Sequence, residues 1–377
     1  MKKKITSFQI SILIFFLCLG LYEGIANVIL YSSTKQNAWL VILLSIIFSF
    51  IPIALIISII NFEPNKNIIK KVEILLGKHL GNIINFILSV CIFMILILTC
   101  WNLFSFINIE YLNKTPQLFI GILFIGTSFY AIMKGIDVIL KSGEIILYIS
   151  LLLITIIILS LFGLPNFNNL KPFFSNSFNT FLFESIHLLS YTIIPTFVIT
   201  IIPKNEINDN QKLTKLIVKS YIISQLFIFL VTFITITVLG PELATIYQFP
   251  TYYTVRKINV VGVIENTENF FSVLWIFSMY FIITMCLYYI NTYVKEIFKI
   301  KTKKKEFFLL LLICLFTLYY SDKIFPSTIN SINFMKKSYN YFIALIIFII
   351  MVLLGIIIFQ KGKKTSNNNA IQYSNNN

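Results

Sequence analysis

The sequence predicts an all-α protein that crosses a membrane ten times, as two inverted five-helix repeats with helices 1 and 6 interrupted. Three observations carry that expectation. The 377 residues are 58% hydrophobic and only 12% charged, too little polar surface for a soluble protein of this size. Apolar runs long enough to cross a ~30 Å hydrocarbon core recur between short polar clusters. The first and sixth runs carry helix-disturbing residues at their centres, a pattern that points to a site between repeats.

The first span covers residues 8–30. Gly20 and Gly24 flank Glu23 there, so a bend-prone backbone coincides with an acid inside the membrane. Three lysines precede this span, as in a signal peptide. Its apolar run is too long for one, and no small-x-small site precedes Tyr31, so it reads as uncleaved. Further spans are expected at 39–62, 82–109, 117–134, 143–164, 181–203, 216–240, 268–291, 306–320 and 340–360, the ninth being the shortest. With the N-terminus inside, 22 basic residues fall on the cytoplasmic side and 8 outside, which places both termini in the cytoplasm.

Two outer loops differ in kind. Residues 166–180 are rich in Asn, Ser and Phe and read as an irregular cap. Residues 247–270 place Val255, Ile258, Val261 and Ile264 on one helical stripe, the pattern of an amphipathic helix on the outer face. That helix is either a strut or a lid. The division is then one transmembrane domain over 1–364, with repeats at about 8–164 and 181–360. A polar, low-complexity tail at 365–377 is expected to be disordered.

In span 6, Pro195 removes a helix hydrogen bond, and Ser190, Tyr191 and Thr192 stand just before it. Glu23 either meets an ammonium, a proton or a cation, or snorkels to the outer face eight residues away. Glu184 and His187 share one face of span 6 and form a proton relay or an ordinary i,i+3 pair. His79 sits in a basic loop and carries no reading. Trp101 and Asn102 in span 3, and Trp275 and Ser278 in span 8, line a cavity or simply pack.

Five cysteines lie inside apolar runs with no Cys-x-x-Cys pair, so they read as small hydrophobes. No catalytic grouping, phosphate-binding loop or metal motif occurs, so catalytic residues, cofactors and metals are all expected to be none. The net charge of +15 lies in juxtamembrane lysine clusters, which fit the lipid bilayer and not nucleic acid.

Three local signatures then carry a resemblance. Ile5-Thr6-Ser7-Phe8-Gln9 resembles an Ile-Ser-x-x-Gln opening, and Asn37-Ala38-Trp39 an Asp-Ala-Trp start to span 2. Pro250-Thr251-Tyr252 with Arg256, Ile258, Glu265 and Glu268 resembles a Tyr-Pro-Ser-Tyr…Arg…Ile…Glu-Arg-x-Glu segment. Together with the interrupted spans they resemble the spore germination permease family, the B subunits of endospore germinant receptors. That family lies within the amino acid–polyamine–organocation transporter superfamily, and the likeness covers about residues 5–360. Asn37 and Asn266-Thr267 depart from its pattern.

The resemblance implies a germinant-sensing subunit of the spore inner membrane, acting with A and C subunits and binding a small nutrient, chiefly an amino acid. The expected site places Gly20, Leu21, Glu23 and Gly24 opposite Ser190, Tyr191 and Thr192, walled by Trp101 and Trp275. Pro250, Tyr252, Arg256, Glu265 and Glu268 belong to the outer lid. Two alternatives stay open: a proton-coupled amino acid permease, and a ligand-free structural or channel subunit.

Overall fold

The computed structural model describes residues 5–161, 163–257 and 266–375. Among them there is helix and one isolated bridge, Ile5 to Ile207, but no strand. Nine helical segments are long and apolar enough to cross a membrane. The expected ninth span is not among them. It corresponds to α13 (Lys303–Lys323), whose charged ends leave 15 uncharged residues between Glu306 and Asp322.

The first span is α1 (Ser7–Leu21), a π-turn (Tyr22–Ala26) and α2 (Asn27–Thr34). Thr6 and Gln9 close a reciprocal capping box at its start, satisfying two of the amides a helix leaves open there. The interruption takes the form of one wide turn, so the helix widens without unwinding. Asn27 N–H reaches back to the Tyr22 carbonyl, and the Asn27 side chain enters the hydrogen-bond ladder. Its amide donates to the Glu23 carbonyl at 3.0 Å and its oxygen accepts from Val28 N–H at 2.7 Å.

The second and third spans are α3 (Ala38–Asn61) and α5 (Lys78–Glu110), joined by the short α4 (Ile68–Leu76). Lys71 of α4 is 1% exposed, and its ammonium donates to the Ile59 and Ile60 carbonyls at 2.8 and 3.0 Å. These are among the last carbonyls of α3, which have no partner within their own helix. Next come α6 (Gln117–Lys134) and α7 (Ile136–Ser160), separated by Gly135 at φ +106°. Only glycine turns there without strain.

The sixth span is α8 (Phe178–Thr192) followed by a tight 3₁₀ segment, Pro195–Ile201. Both Ile193 and Ile194 N–H donate to the Leu189 carbonyl, so the ladder slips one step before the proline. The chain continues as α9 (Leu213–Leu239), the short α10 (Pro241–Ile246) and α11 (Pro250–Arg256), then α12 (Glu268–Ile297) and α13. After α14 (Thr328–Phe334), a ten-residue π-helix (Met335–Ala344) leads into α15 (Leu345–Asn375).

One expectation changes. The outer segment is helical over Pro250–Arg256, with Thr251, Tyr252 and Val255 buried, so it wedges into the bundle instead of lying on it. Ile258, Val261, Ile264 and Glu265 lie outside the described residues. The last helix, α15, runs to Asn375. Extending an existing helix avoids the nucleation penalty.

The interrupted first span sits at the centre: 83% of its apolar window is buried, against 17% for α7 at the periphery. Its start is fastened to the loop before α9. Ser7 N–H donates to the Asp209 carboxylate at 2.7 Å and the Ser7 hydroxyl to the Asp209 carbonyl at 2.9 Å. Slight burial pushes the Asp209 carboxyl up, but the Ser7 hydrogen bonds outweigh it and hold it below its usual value.

Replacing Lys71 by Met leaves the two carbonyls without a donor and should lower stability by about 1–3 kcal/mol. An unchanged melting temperature would contradict this cap. The Ser7–Asp209 fastening has a pH sign. A depressed carboxylate pKa stabilises above the ordinary Asp value of about 3.9 and is lost as pH falls through the depressed one. Ser7 amide protection, corrected for intrinsic exchange, should drop on acidification in wild type and stay flat with pH in Asp209→Asn.

Candidate functional site

Glu23 lies in the π-turn and is 5% exposed. Its Oε2 accepts from the Thr251 hydroxyl of α11 at 2.8 Å, and Oε1 has no partner. Thr251 also approaches the Asn27 amide at 3.5 Å. Beside Glu23, the backbone at Gly24 runs against Asn102 of α5. A Cβ there would stand 1.9 Å from Asn102 Nδ2 and 2.8 Å from the Trp275 ring. Both polar atoms of the Asn102 side chain are buried and unpartnered. An acid oxygen and a whole amide thus stand unsatisfied around one turn of span 1, an arrangement that folded proteins avoid outside functional sites.

Gly20 provides the second close approach. A Cβ there would meet the end of the Ile282 side chain and stand 3.3 Å from the Ser278 backbone, so glycine gives span 1 a close approach to α12 at this turn. Trp275 closes the contact by donating its indole N–H to the Gly20 carbonyl at 2.8 Å. Leu21 is buried in the core, and Tyr22 pairs with Thr232 of α9.

The outer segment roofs this cluster. Phe106 of α5 packs edge-on against Trp275 (4.5 Å), Phe249 (4.9 Å) and Tyr252 (5.6 Å). Pro250 opens α11 as its first residue. Tyr253 donates to Glu110 at 3.0 Å, with Arg256 over its ring, and Thr267 donates to the Val255 carbonyl. Glu268 begins α12 and is 9% exposed. These contacts hold the one hydroxyl that reaches Glu23.

The residues before Pro195 turn elsewhere. Because the ladder slips at Leu189, the Ser190 carbonyl is free to accept, and the Tyr339 hydroxyl donates to it at 2.9 Å. The Ser190 hydroxyl meets Asn340. Tyr191 stacks on Tyr339 at 5.0 Å and donates to the Met335 carbonyl at 2.7 Å. Thr192 bonds to the Leu188 carbonyl and approaches Tyr221 at 3.4 Å. Trp101 packs edge-on against Phe325.

Of the expected site, then, Gly20, Glu23, Gly24 and Trp275 come together. Ser190 and Tyr191 join the π-helix before α15, and Trp101 faces away. Sequence reading missed Asn27 and Thr251 and left Asn102 open between lining a cavity and packing. Asn27 stands four residues after Glu23, which is the one local sign available; Thr251 reaches Glu23 only through the fold.

A second polar line runs along span 6. Glu184 Oε2 lies 3.1 Å from His187 Nδ1, and His187 Nε2 lies 3.1 Å from the Tyr191 hydroxyl. Tyr191 has one proton and gives it to Met335, so Nε2 must donate to Tyr191.

Gly24→Ala should destabilise by about 1–3 kcal/mol, because Trp275 cannot recede without losing the Gly20 carbonyl. Gly126→Ala, on the outer face of α6 where a Cβ meets nothing within 4 Å, should leave the melting temperature unchanged or higher. Equal behaviour of the two variants would contradict the close approach at Gly24.

Comparison with known proteins fits this architecture. A family model described as spore germination protein matches residues 4–326. Spore germination protein KB of Bacillus subtilis (strain 168) is 24% identical over 259 residues, 68% of this chain and 69% of the relative. Spore germination protein B2 of the same organism is 21% identical over 317 residues, 83% and 84% of the two chains. MhsT, solved in complex with L-phenylalanine, superposes with a TM-score of 0.65 over 95% of this chain and 89% of its own, at 16% identity. That likeness shows the fold, which is that of the LeuT-type transporters. The chain therefore belongs to the spore germination protein family, as a multi-pass, all-helical membrane protein of transporter-like fold.

Proposed function

We propose that this protein is the ligand-sensing B subunit of a germinant receptor, and that it takes an amino acid at the π-turn of span 1. The carrying observation is the buried carboxylate of Glu23, with one oxygen unpartnered, beside the wholly unpartnered amide of Asn102. An amino acid carries the two complementary groups. Its ammonium suits Glu23 Oε1 and Asn102 Oδ1, and its carboxylate suits Asn102 Nδ2. The fold neighbour was solved with an amino acid, and the relatives are germination proteins, which supports the ligand class and the setting.

In this reading the ten helical spans form two inverted repeats, and the first span of each carries the disturbed turn. The site is packed shut under α11, so a ligand is admitted when α11 withdraws and Thr251 leaves Glu23. A ligand that prefers one of the two arrangements shifts the population between them, which is the signal. A and C subunits would read that shift in the spore inner membrane, with both termini cytoplasmic. Pro250, Tyr252 and Arg256 serve the lid, and the resemblance adds Glu265 and Glu268.

One observation favours a second reading. The hydrogen-bonded line of Glu184, His187 and Tyr191 fits a proton-coupled amino acid permease. Accumulation of labelled amino acid in vesicles, dependent on a proton gradient, separates the two.

The test is a melting screen of the purified protein against amino acids, nucleosides, sugars and salts. A ligand at 100 times its Kd should stabilise by about 2.7 kcal/mol. The proposal expects a dose-dependent rise with at least one amino acid, abolished in Asn102→Leu. If no amino acid raises the melting temperature, alone or with co-expressed A and C subunits, the reading fails.

A further inference from the structure

On the lipid-facing side, away from Glu23, α6 and α7 leave a cleft between them. Ile122, Gly126 and Tyr130 line it from α6, Val138 and Ser142 from α7, and Tyr280 of α12 lies against it. Its walls are mainly apolar, with hydroxyls from Thr127, Ser142 and the two tyrosines. At Gly126 a side chain would meet nothing within 4 Å, so the cleft is open along α6. From Ile122 to Lys134 the helix rises about 18 Å, close to one leaflet of a ~30 Å hydrocarbon core.

The mouth of the cleft is cationic. Lys134 ends α6 and is exposed, with its ammonium 5.2 Å over the Tyr130 ring. Lys141 is exposed and adjoins Ser142. Phe129 packs edge-on against Phe307 at 5.1 Å, which sets the first turn of α13 beside the last turn of α6. That turn and its approach carry Lys301, Lys303, Lys304 and Lys305, all exposed. The six lysines outnumber the nearby acids, Glu306, Asp137 and Glu144. Glu306 is taken by Lys295 at 2.6 Å and Asn291 at 3.3 Å, and Asp137 and Glu144 are partly buried on α7.

We propose that this cleft binds one anionic phospholipid from the leaflet on the lysine-rich side. An acyl chain lies along Gly126 between α6 and α7, and the phosphate sits among Lys134, Lys141 and the lysines before α13. Two independent features select this ligand. A free anion has no use for an apolar cleft one leaflet deep, and a zwitterionic lipid gains nothing net from the lysines. Each lysine near an anionic surface contributes about a fivefold preference. The neighbouring exposed Phe298 and Phe308 lie at the same level and anchor this edge at the interface.

The test uses the full chain in mixed micelles. Phosphatidylglycerol and phosphatidylcholine of identical acyl chains are supplied in equal amounts, and native mass spectrometry counts retained lipid. Wild type should retain one phosphatidylglycerol in preference, and that lipid should raise the melting temperature in a saturable way. Inorganic phosphate or glycerophosphate should not. Lys134→Gln with Lys141→Gln should reduce the preference between the two lipids by about 25-fold or to parity. Gly126→Leu should abolish retention of both while leaving the lipid-free melting temperature at least as high. Equal retention of the two lipids by wild type overturns the proposal. So does phosphate alone reproducing the shift, or variants that retain lipid like wild type.

Discussion

One carboxylate in the hydrocarbon, Glu23, constrains the elements gathered around it. An acid at that depth is tolerated only with partners supplied by the protein. Among the described residues no cation pairs with it, and the hydroxyl that reaches it is that of Thr251. To deliver that hydroxyl, the outer segment must enter the bundle as α11. Phe106, Phe249, Tyr252 and Trp275 hold it there by edge-on packing. Around the acid, the π-turn takes up one extra residue, and the Asn27 amide repairs the ladder where it widens. Gly20 and Gly24 then let α12 and α5 come close enough to wall the turn.

The two disturbed spans solve different problems. At span 6 the carbonyl released by the slipped ladder is met by Tyr339, and Tyr191 and Ser190 are likewise tied to the segment before α15. That junction is satisfied and serves as a joint between spans 6 and 10. At span 1 the polar groups are left partly unmet, on Glu23 Oε1 and Asn102. Incompleteness at one break and completeness at the other is why the proposed ligand site is placed at the first. The Glu184–His187–Tyr191 line stands apart from Glu23, since it runs toward Met335.

Much of this was legible in the chain. Apolar runs bounded by lysines mark the spans, because the bilayer enforces length and polarity locally. Gly20, Gly24 and Pro195 mark the disturbed turns, because backbone chemistry is local too. The partners were not legible. Thr251 is 228 residues from Glu23, and a threonine in a short outer helix has no local signature. Tyr191 looked like a ligand contact because it stands before Pro195, yet its neighbour is the π-helix that starts at Met335, whose wide turns follow no sequence period. Trp101 reads like Trp275 in sequence. Packing against Phe325 takes it out of the site, while the Gly20 carbonyl holds Trp275 in it.

The most direct measurement is equilibrium binding of labelled amino acids to purified wild type and to Glu23→Gln, side by side at neutral pH. Losing a charge-assisted contact of about 1.5–3 kcal/mol should weaken binding by about 10- to 100-fold, with both proteins folded and equally melting-resistant without ligand. Saturable binding by wild type and that loss in the variant is the predicted result. Equal affinity in the two would show that the ligand does not meet Glu23, and the account of the π-turn as the binding site would be wrong.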